Sequence, residues 1–338
     1  MESVWTGDTE LVRAVDRAFR STKAAAVAVI SPQGELTATM GADRDSTFEI
    51  GSISKVLTGM LYRDAIERGL VSQTTILRDV LPLEGHGEVG SVSLGSLAIH
   101  RSGLPGLPPG MHPLRRNYDF WVRGENPYGD SLAELLDQTR DVRVGAPRPR
   151  YSNLGFQLLG HAVASAAGSA YERLLPDVLG TGFSTPARAE DLGPADLTGF
   201  SRFGRPLAAW VGEGLAPAGG VRATIGTMRG FVRSVLAGTA RGLAALEPVS
   251  QFTPRVGIGA GWITLEFRGR AITWHNGSTG GFCSWIGLDR EAGVGVVVLA
   301  ARHGSVDRQG FRLLTEFAAP GTLPPSVGPQ RDQRGLLQ

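Results

Sequence analysis

Strand-forming stretches stand near both ends of this chain, and helix-forming ones fill the middle. "AAAVAVISPQGELTATMGA", at 24–42, reads as two strands joined by a Pro/Gly turn. The pattern returns after residue 255 in "GAGWITLEFRGRAITWHNG", "GFCSWIGLD" and "AGVGVVVLAAR", with turns at "FRGR" and "DREAG". Between them "SLAELLDQTR", "NLGFQLLGHAVASAAG" and "GTMRGFVRSVLAG" carry helical periodicity. Residues 8–20 and "DRQGFRLLTEF" read as terminal helices, while 112–130 reads as an irregular, aromatic-bearing insertion. The economical arrangement is α+β: one antiparallel sheet built from both chain ends, flanked by the terminal helices, with an inserted, mainly helical lobe. The expected division is 1–50 with 251–320 as an α/β lobe, 51–250 as the helical lobe, and 321–338 as a loose tail rich in Pro, Gly and Gln.

Composition narrows the function classes. A net charge of +2 over 338 residues, with no Lys/Arg cluster, speaks against nucleic acid. No apolar run is long enough to span a bilayer. The first twenty residues lack a basic region followed by an apolar stretch, so a cytoplasmic location is expected. The single Cys283 excludes an internal disulfide, and none of the six histidines has H-x-H or H-E-x-x-H spacing. No cofactor or metal is expected.

Only two lysines occur, Lys23 and Lys55, among 34 basic residues. Arginine cannot give up its proton in a protein, whereas a desolvated lysine can. Lys55 lies in "FEIGSISKVLTGMLYRDAIERGL", where an extended segment passes into a helix with Ile53, Val56, Leu57, Met60, Leu61 and Ile66 at core spacing. Ser52 stands at the helix mouth, and positions i and i+3 share a face, so the amine can reach the hydroxyl. Serine is a weak nucleophile until a base takes its proton. Lysine becomes that base when burial lowers its reference pKa of roughly 10.4. The competing reading is a helix cap followed by a snorkelling lysine.

Two further motifs have the same double character. In "RPRYSNLGFQLLG", Tyr151 and Asn153 alternate ahead of a helix. A phenol beside a lysine can be held as phenolate and act as base, and Asn153 offers amide donors to a substrate carbonyl. The plain alternative is packing and a cap. In "TWHNGSTGGF", His275 and Gly277 lie at a strand end before a Gly-rich turn. Gly277 would let a substrate backbone approach closely, and the Ser278 N–H would serve as an oxyanion donor.

Taken in order, serine-lysine at a helix start, Tyr-x-Asn in the middle and His-x-Gly on a late strand resemble the serine penicillin-recognising family: class C β-lactamases, D-alanyl-D-alanine carboxypeptidases and related carboxylesterases. The resemblance spans roughly residues 24–302 and extends to "LAIHRSGLP", "APAGGVRAT" and "WIGLDREAGVGVVV". It implies a β-lactamase-like fold, Ser52 as acylated nucleophile, Lys55 and Tyr151 sharing the base role, and Asn153 binding the substrate amide. It also implies His275 and Gly277 in the third-motif position, and an oxyanion hole from the N–H groups of Ser52 and Ser278.

One departure bears on substrate. His275 stands where β-lactamases usually carry lysine, and Asn276 where Thr or Ser is usual. A neutral imidazole attracts a carboxylate less than an ammonium does, and an unperturbed histidine gains charge only below about pH 6.5. Residues 104–130, with Met111, Tyr118, Phe120 and Trp121, read as a lid over the cleft. The resulting expectation is a serine hydrolase or transacylase using a small ester, amide or lactam, with water, an amine or an alcohol as acceptor. Acyl transfer in antibiotic biosynthesis is one such activity. β-Lactamase or D-alanyl-D-alanine carboxypeptidase activity is the first alternative, and a non-catalytic binding or sensor module is the alternative of another class. An α/β-hydrolase is disfavoured because no complete G-x-S-x-G occurs.

Overall fold

The computed structural model describes residues 4–16, 19, 22–267 and 269–318. The chain runs β1 (Trp5–Gly7), α1 (Thr9–Val15), β2 (Ala25–Ser31), β3 (Gly34–Met40) and β4 (Thr47–Glu49), then α2 (Ser54–Glu67). A helical stretch follows: α3 (Leu94–Ala98), α4 (Pro113–Arg123), α5 (Leu132–Asp137), α6 (Asn153–Ala166) and α7 (Tyr171–Leu179). Short strands β5 (Phe183–Ser184), β6 (Gly199–Phe200), β7 (Pro206–Leu207) and β8 (Arg222–Thr224) lead into α8 (Ile225–Leu236). The chain closes with β9 (Ser250–Thr253), β10 (Val256–Ile258), β11 (Ile263–Phe267), β12 (Arg270–Ser278), β13 (Cys283–Asp289), β14 (Val294–Ala300) and α9 (Asp307–Ala318).

Among the described residues nine strands form one sheet in the order β1-β3-β2-β14-β13-β12-β11-β10-β9, and every neighbouring pair is antiparallel. The two chain ends meet inside it, where Val27 of β2 lies opposite Val298 of β14. The period of two along a strand sends alternate side chains to opposite faces. Ala26, Ala28, Val297 and Leu299 face the core shared with α2, α6 and α8. Val27, Val29, Val296, Val298 and Trp285 face α1 and α9 through Leu11, Val15, Leu313 and Leu314. With both faces covered, β13 and β14 are buried along their whole length, which explains the nearly unbroken apolar run "VGVVVLA".

The helix ends follow local chemistry. Ser131 and Glu134 form a capping box on α5, and the Ser152 and Thr224 hydroxyls accept the N–H groups of Gly155 and Thr227 on α6 and α8. Gly168, with φ of +65°, ends α6 where expected.

The structure corrects several expectations. The segment 112–130 is not irregular, since Pro113 opens the helix α4. Its Phe120 is buried and packs edge-on to Trp210 with centroids 6.0 Å apart. It also presses on the turn after β12, where a Cβ on Gly280 would lie 1.8 Å from its ring. Met111 is buried too, but Tyr118 points to solvent at 62% exposure, so it does not line a cleft. The side chain of Trp121 is not among those described. The first helix is shorter than 8–20, ending at Val15, and residues 17–18 and 20 lie outside the described residues, as does the tail at 321–338. The small sheet β4-β8-β5 had no clear sequence signal, because strands of two or three residues are too short for a period.

Candidate active site

The segment carrying Ser52 is fitted between the small sheet and the large one. β4 ends at Glu49, the Ile50 N–H donates to Val221 O at 3.1 Å, and a single 3-10 turn, Gly51–Ile53, runs directly into α2. Gly51 has φ of +52°, a left-handed conformation that glycine adopts without strain. A Cβ there would lie 2.7 Å from Ser278 N, so the backbone before Ser52 touches the end of β12. The N–H groups of Ser52 and Ser278 therefore come from segments in direct contact. The Ser52 N–H belongs to an opening helical turn, where amides lack an intrahelical acceptor.

Gly277 owes its identity to this contact. A Cβ on Gly277 would sit 2.0 Å from Ile50 O and 2.4 Å from Ser284 Oγ, which itself donates to Ile50 O at 2.8 Å. The glycine makes room for the chain's own backbone, a constraint that the sequence reading, which gave the space to a substrate, did not include. Asn276 also turns away, donating its Nδ2 to Asp307 on α9 at 2.9 Å.

Lys55 does not snorkel. It is completely buried, with Nζ 3.2 Å from Ser52 Oγ and 2.6 Å from Ala218 O. Burial holds its pKa well below the usual 10.5, favouring the neutral amine with a free lone pair. Tyr151 Oη donates to Ser52 Oγ at 2.7 Å, and Nζ lies 4.8 Å from the centre of its ring. Burial raises the phenol's pKa above its usual 10.0, outweighing the hydrogen bond to Ser52. The phenolate anticipated for Tyr151 is thus disfavoured at rest. Lys55 is the group disposed to take a proton, and Tyr151 the group disposed to hold one.

His100 brackets Tyr151 on three sides. It is buried in a left-handed conformation with φ of +56°, uncommon outside glycine. Its carbonyl accepts the Arg150 N–H at 2.9 Å, its Nδ1 accepts the Ser152 N–H at 3.1 Å, and its ring lies 4.6 Å from the Tyr151 ring at a 32° tilt. Because Nδ1 accepts, the proton of the neutral ring sits on Nε2. Burial and the neighbouring Lys55 lower its pKa well below 6.5, which preserves that acceptor. The sequence held no chemical signal for this role beyond a histidine in "LAIHRSGLP".

The remaining expected residues are nearby but differently engaged. Ser152, not Asn153, caps α6, and the Asn153 side chain bonds the buried Tyr128 hydroxyl. His275 is 1% exposed, and its Nδ1–H donates to Asn276 O at 2.5 Å, leaving Nε2 unprotonated. Burial lowers its pKa to about 4, aided by Lys55, so it stays uncharged far below the pH 6.5 expected of a free histidine.

A buried ion pair that sequence reasoning passed over holds the strand that leads to Ser52. Arg222 on β8 reaches Glu49 at 3.1 Å and Asp196 at 2.7 Å, and donates to Leu197 O. Glu49 also accepts the Trp210 N–H at 2.9 Å and bonds Thr279, just beyond Ser278. Among the described residues no group of three or more His, Cys, Asp or Glu is placed to hold a metal ion, and no helix is long and apolar enough to cross a membrane.

A nine-stranded sheet joined from both chain ends, with a serine and a buried lysine where it meets the helices, defines the serine hydrolases of the penicillin-recognising type. The chain belongs to the β-lactamase family, whose model matches residues 12–319. It is similar to D-alanyl-D-alanine-carboxypeptidase/endopeptidase AmpH of Escherichia coli strain K12, at 25% identity over 76% of this chain and 71% of that one. It is also similar to penicillin-binding protein 4 of Amycolatopsis lactamdurans, at 31% identity over 40% of this chain and only 34% of that protein's length. In fold it resembles the class C β-lactamase of Rhodobacter sphaeroides, with a TM-score of 0.72, 20% identity and coverage of 92% and 98%. The octameric penicillin-binding protein homologue of Pyrococcus abyssi superposes with a TM-score of 0.71 at 20% identity, covering 87% of this chain and 72% of that one.

Proposed function

We propose that this chain forms an acyl-enzyme on Ser52 from a small, uncharged ester or amide and passes the acyl group to water or to an amine or alcohol acceptor. The observation that carries this reading is that Ser52 Oγ lies within hydrogen-bond reach of both the buried Lys55 amine and the Tyr151 hydroxyl. In the first step Ser52 Oγ attacks the carbonyl carbon and its proton passes to Lys55 Nζ. The oxyanion is met by the N–H groups of Ser52 and Ser278, donors of a kind worth roughly 3–4 kcal/mol each. When the tetrahedral intermediate collapses, the departing oxygen or nitrogen takes the Tyr151 proton, and the Lys55 ammonium restores it. The acceptor repeats the cycle in reverse. Asn153, at the mouth of α6, is assigned to substrate binding through the amide atoms that its bond to the Tyr128 hydroxyl leaves open.

A second reading is supported by the AmpH likeness: a carboxypeptidase or β-lactamase acting on substrates that carry a carboxylate beside the scissile bond. The neutral His275 weighs against it. The two readings separate in one experiment. Peptide mass spectrometry after exposure to an activated ester should place the adduct on Ser52, and acylation should rise with pH as Lys55 loses its proton, below the 10.5 of an ordinary lysine. Wild type should acylate faster with an uncharged ester than with a penicillin. His275→Lys should improve the penicillin alone, since a fixed charge near an anion is worth on the order of 1–4 kcal/mol in a partly dry cleft. An adduct elsewhere, or none, overturns the assignment. Equal effects of His275→Lys on both donors would remove the case against carboxylate substrates.

A further inference from the structure

Beside Tyr151 and His275 lies a cavity of about 50 Å³. Its far wall is apolar: Phe252 from β9, Val256 and Ile258 from β10, and Ile263 and Leu265 from β11. Its near wall belongs to the catalytic surroundings. Tyr151, His275 and His100 line it, as does Gly261, which packs so tightly on the nucleophile's helix that a Cβ there would lie 2.3 Å from Lys55 O. No Lys, Arg, Asp or Glu is among its lining residues.

We infer that this cavity receives the departing group of the substrate, and that this group is short and apolar rather than a carboxylate. The inference rests on the acyl-enzyme reading above and adds the side and the chemistry of the leaving group. The side follows from Tyr151. In R–CO–O–R′ the carbonyl–oxygen bond breaks as Ser52 Oγ bonds the carbon, and the departing oxygen takes its proton from Tyr151 Oη. R′ therefore leaves on the side of Tyr151, whose ring bounds the cavity. The chemistry follows from the walls. An alkyl group there gains by leaving water, whereas a carboxylate would lose its hydration with no cation to meet it. The volume admits more than one water-sized centre, so a short alkyl end fits and a peptide chain does not.

The test fixes the acyl group and varies the alcohol. Methyl acetate, isobutyl acetate and the acetate ester of 3-hydroxypropanoate would be compared in wild type, Val256→Trp, which fills the cavity, and Phe252→Ala, which widens it. Wild type should favour isobutyl over methyl by about tenfold in kcat/KM, in line with a few methylenes in an apolar pocket. It should reject the carboxylate ester. Val256→Trp should erase the isobutyl preference, and Phe252→Ala should shift it toward a bulkier alcohol such as neopentyl. A parallel pair, methyl acetate and methyl isovalerate, varies the acyl side. If Val256→Trp changes that ratio instead, the cavity holds the acyl group and the inference falls. An alcohol ratio that neither variant moves refutes it as well. Labelling of Ser52 by a small alkyl fluorophosphonate reports the nucleophile separately. No label in wild type overturns the acyl-enzyme reading and this inference with it, while normal labelling with an insensitive alcohol ratio overturns the inference alone.

Discussion

Lys55 is one of two lysines in a chain that otherwise uses arginine, and its surroundings show why arginine would not serve. The proposed mechanism needs a base that can lose its proton, and complete burial favours the neutral amine of Lys55. Lys55→Arg should therefore be nearly as damaging to Ser52 acylation as Lys55→Ala, because guanidinium keeps its proton. Stopped-flow acylation would check this, and an arginine variant retaining most of the rate would mark Lys55 as a fixed charge. His100 gives the second prediction at this scale. Asparagine tolerates a left-handed conformation, and its Oδ1 can replace Nδ1 as acceptor for Ser152 N–H. His100→Asn should thus keep most of the activity, while His100→Ala and His100→Phe should lose about 10–100-fold in kcat with smaller changes in KM, as misplacement of a catalytic group does. Equal losses in all three would reduce His100 to packing. The sequence pointed to Ser52, Lys55 and Tyr151 through residue type and spacing, and the structure brings the three together, though without favouring the phenolate expected of Tyr151. It did not disclose His100, whose work is done by backbone contacts and a φ of +56° that no residue pattern announces. Nor did it reveal that Gly277 yields space to Ile50, since a glycine in a strand reads alike whatever approaches it.

At the scale of elements, the position of Ser52 depends on how β4 is held. β4 has only three residues and pairs with β8, where Glu49 stands opposite Arg222. Both side chains are buried, Arg222 completely and Glu49 with only 3% exposed. Such a pair adds little net stability over an apolar one, and because Arg222 keeps Asp196 at 2.7 Å, losing Glu49 should cost about 1–3 kcal/mol, that of a buried group with one partner removed. Glu49→Ala should lower thermal stability by that order and, because Glu49 also bonds Thr279 beside Ser278, slow Ser52 acylation in the molecules that remain folded. The double variant Glu49→Leu with Arg222→Met should recover much of the stability without the rate. Recovery of both would mean that the ion pair does not position the site. Elements with a long apolar run or helical spacing, such as β14 and α6, were legible from the sequence. α4 was not, because Gly and Pro around it mimic a loop and its left-handed His112 boundary has no common signal.

The whole molecule is tied together by strands far apart in sequence. β2 pairs β14 across some 270 positions, as in Val27 opposite Val298, so the sheet cannot close until most of the chain exists. This much was legible from strand-like ends around a helical middle, since strands without neighbours leave their backbone groups unpaired. Less legible was how completely the helical segment joins the same core. Leu57 of α2, Leu97 of α3 and Leu158 of α6 form one apolar cluster with Ile286, Leu288 and Leu299 of the sheet. A core shared in this way leaves neither part a buried surface of its own, and Ser52 sits where the parts meet. Unfolding should accordingly be a single event. The fluorescence of Trp262, Trp274 and Trp285, all buried at the sheet, should change at the same denaturant concentration as the far-ultraviolet helix signal and the loss of Ser52 labelling. Pairings this distant also make closure slow, so refolding should be slower than for helical chains of similar stability. Loss of the helix signal at a lower denaturant concentration than the tryptophan change would show that the inserted segment unfolds by itself, and that the shared cluster is not what holds the catalytic seam closed.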